Sequence, residues 1–218
     1  NSFLLLISPE LSPSEHHKSS LIKLGFKQIN KVAWSSSRID LENEESQIFL
    51  KLRSKWRNML RKAEKSDLEI SCEINDNVKD LINNYKKSQT NKKFKGLNND
   101  LILKLSSQKS RFYKFLIYKS YKIIDGEKKL LGMLVSILHG RTATYFIGYT
   151  NQYGRKYNAN YLLIWRALID AKKFGSRWFD LGGLNSNTPK GIAHFKNGMN
   201  GNLYHNIPKF YKFFFIFN

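Results

Sequence analysis

Phe195-Lys196 and the double glycine Gly182-Gly183 are the residues whose types best suit chemistry in this chain. A lysine is a point charge that can neutralise a phosphate or stabilise the oxyanion of an acyl transfer. Paired glycines allow positive φ and close backbone approach. Upstream, TNQYGRKYNAN (150–160) places Arg155 and Lys156 between an apparent strand and the start of a helix. Unpaired helix N–H groups with two added cations suit a pyrophosphate or nucleotide phosphate. Gly154 permits a tight turn there, but GxxxxGK[ST] is absent, so this is no P-loop. Tyr157, Asn160 and Tyr161 stand close in sequence and can hydrogen-bond a ligand, although aromatics at helical spacing more often pack. Asp180 reads as a loop cap rather than a base. His194 has no carboxylate at a fixed spacing to complete a triad. The five histidines form no ligand cluster, so no metal site is expected.

These residues need elements to position them. Residues 142–149 predict a strand, 160–174 a helix stopped by Gly175, and 178–181 a second strand. That helix is apolar at Leu162, Leu163, Trp165, Ala167, Leu168 and Ala171. Asp125-Gly126 separates the apolar runs 112–118 and 130–139, which predicts an antiparallel hairpin. Further strands are expected at 3–7, 26–34 and 68–74, the last containing Cys72. Helices are expected at 14–24, capped by Ser14 and stopped by Gly25, and at 78–89 and 100–106. Residues 44–66 predict one long helix, with Ile48, Phe49, Leu52, Trp56, Met59, Leu60 and Ala63 inward. Its other face carries Lys51, Arg53, Lys55, Arg57, Arg61, Lys62 and Lys65. Glu64 is nearly alone as an i,i+4 partner, so this face reads as one that meets an anion. The closing NLYHNIPKFYKFFFIF predicts strand. The order of elements indicates an α/β (α+β) protein with a mixed sheet flanked by helices.

Composition narrows the partners. The chain has 218 residues, 37 Lys+Arg against 17 Asp+Glu, and a formal charge of +20. A field of that sign draws nucleic acid, anionic lipid or phosphorylated substrates. Richness in Asn, Lys and Ile together, as in AT-rich genomes, accounts for part of the excess. A single cysteine excludes an internal disulfide and fits a reducing, cytoplasmic compartment. No run reaches the ~18 apolar residues of a membrane span, and NSFLLLISPE lacks the basic start of a signal peptide.

Taken together, WRNMLRKAEKSDLEI (56–70), the stretch 145–183 through FDLGG, and GIAHFKNGMNG (191–201) resemble the FemABX family of peptidoglycan aminoacyltransferases. The resemblance implies duplicated GNAT-like acyltransferase domains. Residues 68–218 would be a complete second domain, and 1–67 the C-terminal part of a first, with its long basic helix. It implies transfer of an amino acid from aminoacyl-tRNA to an amino group of a peptidoglycan precursor. Phe195-Lys196 would match the family's functional FK pair, Phe195 shaping the donor site and Lys196 meeting a donor phosphate or the tetrahedral intermediate. Arg155, Lys156, Tyr157, Asn160, Tyr161, Gly182 and Gly183 would bind substrate and phosphate. No cofactor is expected. The aromatic–basic tail could touch the inner face of the membrane, but it reads more readily as a final core strand.

Two other functions compete. One is a GNAT-type N-acyltransferase using acyl-CoA, whose pyrophosphate turn Gln152-Tyr153-Gly154-Arg155 matches poorly. The other is a non-catalytic module that binds RNA or lipid.

Overall fold

The continuous apolar run Phe3–Ile7 forms strand β1 (Ser2–Ile7). In the computed structural model, residues 2–29, 33–75, 78–92 and 96–215 are described. Ser14 caps helix α1 (Glu15–Lys23), its hydroxyl accepting the His17 N–H at 3.1 Å. Gly25, at φ +81°, ends that helix as expected. The strand expected over 26–34 shrinks to β2 (Lys27–Gln28), and residues 30–32 lie outside the described ones. Strand β3 (Ser35–Asp40) follows.

The long helix expected over 44–66 is two helices, α2 (Glu45–Lys51) and α3 (Ser54–Glu64). Leu52 and Arg53 between them are extended, at ψ 144° and 145°. No proline marks the break. The Arg57 guanidinium turns back and donates to the carbonyls of Leu50, at 2.8 Å, and Leu52. The Arg53 N–H donates to the Gly198 carbonyl at 2.9 Å. The last carbonyls of α2 are therefore satisfied by a side chain rather than by another helical turn.

Beyond the break come β4 (Glu69–Ile74), α4 (Val78–Lys92) and α5 (Asn99–Ser106). The hairpin forms as expected from β5 (Tyr113–Ile124) and β6 (Glu127–His139). Asp125 and Gly126 both have positive φ, which matches the right-handed twist of the strands they join. Then follow β7 (Thr142–Thr150), α6 (Gln152–Lys156), α7 (Ala159–Lys173) and β8 (Trp178–Asp180). The chain closes with α8 (Lys190–Asn197), β9 (Asn202–His205) and β10 (Phe210–Phe215).

These elements fall into two compact units. One gathers Asn1–Arg38, Gly183–Asn197 and Gly201–Asn218; the other gathers Ile39–Gly182 and Gly198–Asn200. In the first, β1 and β2 flank β10 antiparallel, and β3 pairs with β9. In the second, β4, β5, β6 and β7 pair antiparallel in that order, and β8 lies parallel to β7. A parallel neighbour requires a crossover, which α6 and α7 supply. Both faces of this mixed sheet are covered, so the middle of β5 is a continuous buried run. Phe115 and Ile117 of β5 join Leu81, Tyr85 and Ile102 of the α4–α5 layer. On the other face lies α7, with nine buried residues that include Leu163, Ala167 and Leu168.

Arg57→Ala should destabilise the protein by about 1–2 kcal/mol, because it orphans the carbonyls that end α2. Urea unfolding, with Lys62→Ala as a same-helix control expected to change little, measures it.

Candidate functional site

The crossover is built on Asn151. Its Oδ1 accepts the Gly154 N–H at 2.8 Å, and its Nδ2 donates to the Leu130 carbonyl at 2.7 Å. Its backbone N–H donates to the Leu131 carbonyl at 3.1 Å. Gly154 is buried against that same carbonyl, and a Cβ added there would lie 2.2 Å from the oxygen. Gly154 is thus needed for close packing on β6, not for the tight turn expected of it.

The expected basic loop is the short helix α6, which changes how its cations stand. Arg155 and Lys156 occupy its last turn and are exposed. Asn158 takes the left-handed conformation, φ 56°, and α7 starts at Ala159. Tyr157 carries the ammonium groups of Lys122 and Lys156 over its ring at 5.2 and 5.5 Å. Tyr161 packs on Trp56 of α3, ring centroids 5.0 Å apart, and burial pushes its pKa up. For Tyr161 the packing role is the one observed.

A bulge sets the neighbouring tyrosine. Val135 pairs with Ile147 but Ser136 pairs with Tyr145, so Phe146 is an extra residue in β7. Ile147 belongs to the α4–α5 core. Two residues earlier in an unbroken strand, Tyr145 would face the same way; the bulge turns it to the α7 side. There its phenol meets the Asn160 side chain, and its oxygen lies where a Cβ on Gly148 would be, at 1.9 Å. Burial pushes the Tyr145 pKa up to about 12, a rise partly offset by Asn160. The phenol is therefore neutral near pH 7. Asn160 Oδ1 is buried with no partner among the described residues, so it is a candidate acceptor for a ligand N–H or O–H. Composition gave no sign of this pair; only the register places it.

Pairing of β7 with β8 runs from Thr142 opposite Trp178 to Thr144 opposite Asp180, and stops there. Asp180 is buried, and its carboxylate accepts the N–H of Gly182 at 2.7 Å. It caps its own turn, as expected. Gly182 has φ +69°, so its conformational freedom is used.

In the other unit, Gly183 makes the close approach expected of it, but to Trp34: an added Cβ would lie 2.8 Å from that ring. Leu184 N–H donates to Ser35 O at 2.8 Å, and Asn185 Oδ1 accepts from Ser35 N–H at 2.8 Å. Helix α8 then brings Lys196 back to this segment. Lys196 is 7% exposed, and its Nζ donates to the Gly183 carbonyl at 3.0 Å. Phe195 is half-buried and His194 exposed. A lysine is almost never fully buried unless its charge is paired. Lys196 is therefore unlike the exposed lysines that fill this sequence.

Lys196, Phe195 and Gly183 thus belong to one compact unit, and Arg155, Lys156, Tyr157, Asn160, Tyr161 and Gly182 to the other.

A sequence profile of the FemAB family matches residues 66–214. The chain belongs to the FemAB family. Its fold is similar to that of FemX, with a TM-score of 0.80 at 11% identity over 95% of this chain and 71% of that one. It is also similar to L-PGS from Bacillus licheniformis: TM-score 0.60, 11% identity, 96% of this chain and 67% of that one. A tandem GNAT protein from the clavulanic acid biosynthesis pathway gives a TM-score of 0.52 at 7% identity, over 100% of this chain and 65% of that one. At these identities the likeness is one of fold, and it agrees with the GNAT-like mixed sheet expected from sequence. No curated protein matches the chain. Membership of the FemAB family makes this a transferase of the peptidoglycan-related aminoacyltransferase kind. Among the described residues no group of His, Cys, Asp or Glu could hold a metal ion, and no helix is long and apolar enough to cross a membrane.

Gly154→Ala should cost about 2–3 kcal/mol, because its methyl group meets fixed backbone; urea unfolding measures it. Tyr145 should also mark alkaline stability. Its pKa is raised in the folded state, so its contribution is complete below the ordinary value of about 10 and is lost as pH rises through about 12. Between pH 9 and pH 11.5 wild type should lose about 1–2 kcal/mol more than Tyr145→Phe, read by denaturant midpoints at the two pH values.

Proposed function

We propose that this FemAB-family chain moves an amino acid from aminoacyl-tRNA to an amino group of a peptidoglycan precursor peptide. The observation that carries this reading is the burial of Lys196, with its Nζ anchored on the Gly183 carbonyl. A buried ammonium whose position is fixed by its hydrogen bonding is preorganised to meet a negative charge that develops during reaction. It follows Phe195 in the segment that resembles the family's FK pair.

The acceptor amine attacks as the free base. Its lone pair forms the C–N bond to the ester carbonyl, and the carbonyl electrons move to oxygen. Lys196 stabilises that oxyanion or an adjacent donor phosphate. Collapse expels the ribose oxygen of the tRNA, and the proton lost by the amine ends on that oxygen through solvent. An amine and an activated ester need positioning and charge stabilisation rather than a covalent enzyme intermediate or a cofactor. Phe195 shapes the donor site, while Arg155 and Lys156 meet tRNA phosphates. Tyr157, Asn160, Gly182 and Gly183 complete the binding surfaces. We assign residues 68–218 to a second GNAT-like domain and 1–67 to a part of a first. Reaction in the cytoplasm, at the inner face of the membrane, suits both substrates.

The crossover argues against acyl-CoA as the donor. A pyrophosphate turn offers free backbone N–H groups, but the Gly154 N–H is already taken by Asn151 and its Cα is pressed on β6. The test compares charged tRNA with acetyl-CoA as donors for a precursor pentapeptide, using wild type and Lys196→Met. Lys196→Met should lower kcat/KM about 10²–10³-fold with charged tRNA, the scale of a lost oxyanion donor. Its circular dichroism should match wild type. Turnover of acetyl-CoA with indifference to charged tRNA would overturn the reading.

A further inference from the structure

Helix α3 presents a run of cations to solvent. Lys55, Arg61, Lys62 and the following Lys65 are all exposed, and none makes an ion pair among the described residues. Lys55 and Lys62 are seven residues apart, two turns or roughly 10 Å along one face. Arg61 and Lys65 stand four apart beside them, one turn from each other. Arg57 is excluded, since it caps α2. A like-charged face destabilises the helix that carries it, so α3 folds despite these residues. It is held from its other side by buried Trp56, Leu60 and Ala63.

That other side also decides the partner. A helix that binds lipid inserts its apolar face between the headgroups. The apolar face of α3 is already buried, and its outward face is polar throughout. Only an anion that reads charge at a surface is suited to it. The adjoining groove supplies the second feature of such a partner. Arg61 lies over the ring of Phe49, 5.2 Å from its centroid, and Phe49 meets Trp165 edge-on at 5.9 Å. Phe49, Leu50 and Trp165 line a groove beside α3, rimmed by Glu45 and Glu64. Cations interleaved with aromatic faces suit a nucleic-acid strand, whose phosphates meet the cations and whose bases stack. The rim carboxylates can accept from base amino groups.

We propose that the outward face of α3 is a docking surface for the phosphate backbone of RNA, gripping the donor tRNA away from the ester it delivers. The identity of that RNA rests on the aminoacyl-tRNA reading above. The surface gives affinity without taking part in chemistry, so its loss raises KM and leaves kcat nearly unchanged.

The test uses the full chain and fluorescently labelled deacylated tRNA, with anisotropy read from 50 to 300 mM salt. Lys55→Ala, Arg61→Ala, Lys62→Ala and Lys65→Ala are combined in one variant. A charge-matched control combines Lys79→Ala, Lys86→Ala, Lys87→Ala and Lys104→Ala on the α4–α5 layer. The α3 variant should bind about tenfold or more weakly, with a log–log salt slope shallower by about 3; the control should change much less. Equal weakening in both would overturn the proposal, since net charge alone would then explain it. Unchanged tRNA binding by the α3 variant, with Lys196-dependent transfer intact, overturns the docking surface and leaves the donor reading standing. No tRNA binding or transfer by wild type sinks both. Loss of binding to phosphatidylglycerol vesicles, with tRNA binding unchanged, makes the surface a lipid contact and overturns the RNA assignment.

Discussion

The carbonyl of Leu131 is the point from which the crossover of the larger unit is built. It receives the Asn151 N–H, and Gly154 is pressed against it. Asn151 then ties Gly154 to the adjacent Leu130 carbonyl through its own side chain. A helix as short as α6 is not stable by propagation of its own hydrogen bonds. It exists because β6 offers two acceptors and a space that only a glycine fits. From that anchor the chain turns at left-handed Asn158 and starts α7, and α7 in turn covers one face of the sheet. The position of Asn160 against Tyr145 follows from the same anchor together with the bulge at Phe146.

Charge is placed in this chain according to what each site can satisfy. Lys119 is buried on the sheet, and both oxygens of Glu73 accept from it at 2.9 Å. Arg57 is spent on carbonyls. Lys196 is buried, and its Nζ donates to the Gly183 carbonyl. The other lysines and arginines are mostly at the surface, where charge costs little and its effect is collective.

Elements governed by local chemistry could be read from the sequence. The Asp125-Gly126 turn, the stops at Gly25 and Gly175, the cap at Ser14 and the apolar stripe of α7 each depend on a few neighbouring residues, and each forms where expected. Elements decided by distant partners could not be read. The α2–α3 break keeps perfect helical periodicity across Leu52 and Arg53, and only the Gly198 carbonyl and the returning Arg57 reveal it. Gly154 looked like a turn residue because its actual neighbour, Leu131, is far away in sequence. The bulge that turns Tyr145 is a matter of register, to which composition is blind. For the candidate residues, type was legible but environment was not: Lys196 reads like any lysine until its burial is seen, and Tyr161 reads like a ligand contact until Trp56 is found against it.

In the proposed reading, Lys196 and the α3 face are two different uses of positive charge. A single buried ammonium acts over a short distance in a medium that screens poorly, so its effect is large and depends on geometry. Exposed cations on a helix are screened within about a Debye length, so each contributes little and only their number matters. Transfer from a large polyanionic donor needs both kinds. The charge that stabilises the reacting centre must be singular and fixed. The charge that holds the body of the donor must be spread out and weak enough singly for the spent donor to leave. A chain that placed all its cations at the reacting centre would bind that polyanion too tightly to release it. One that placed them all on the surface would have nothing oriented to meet the oxyanion.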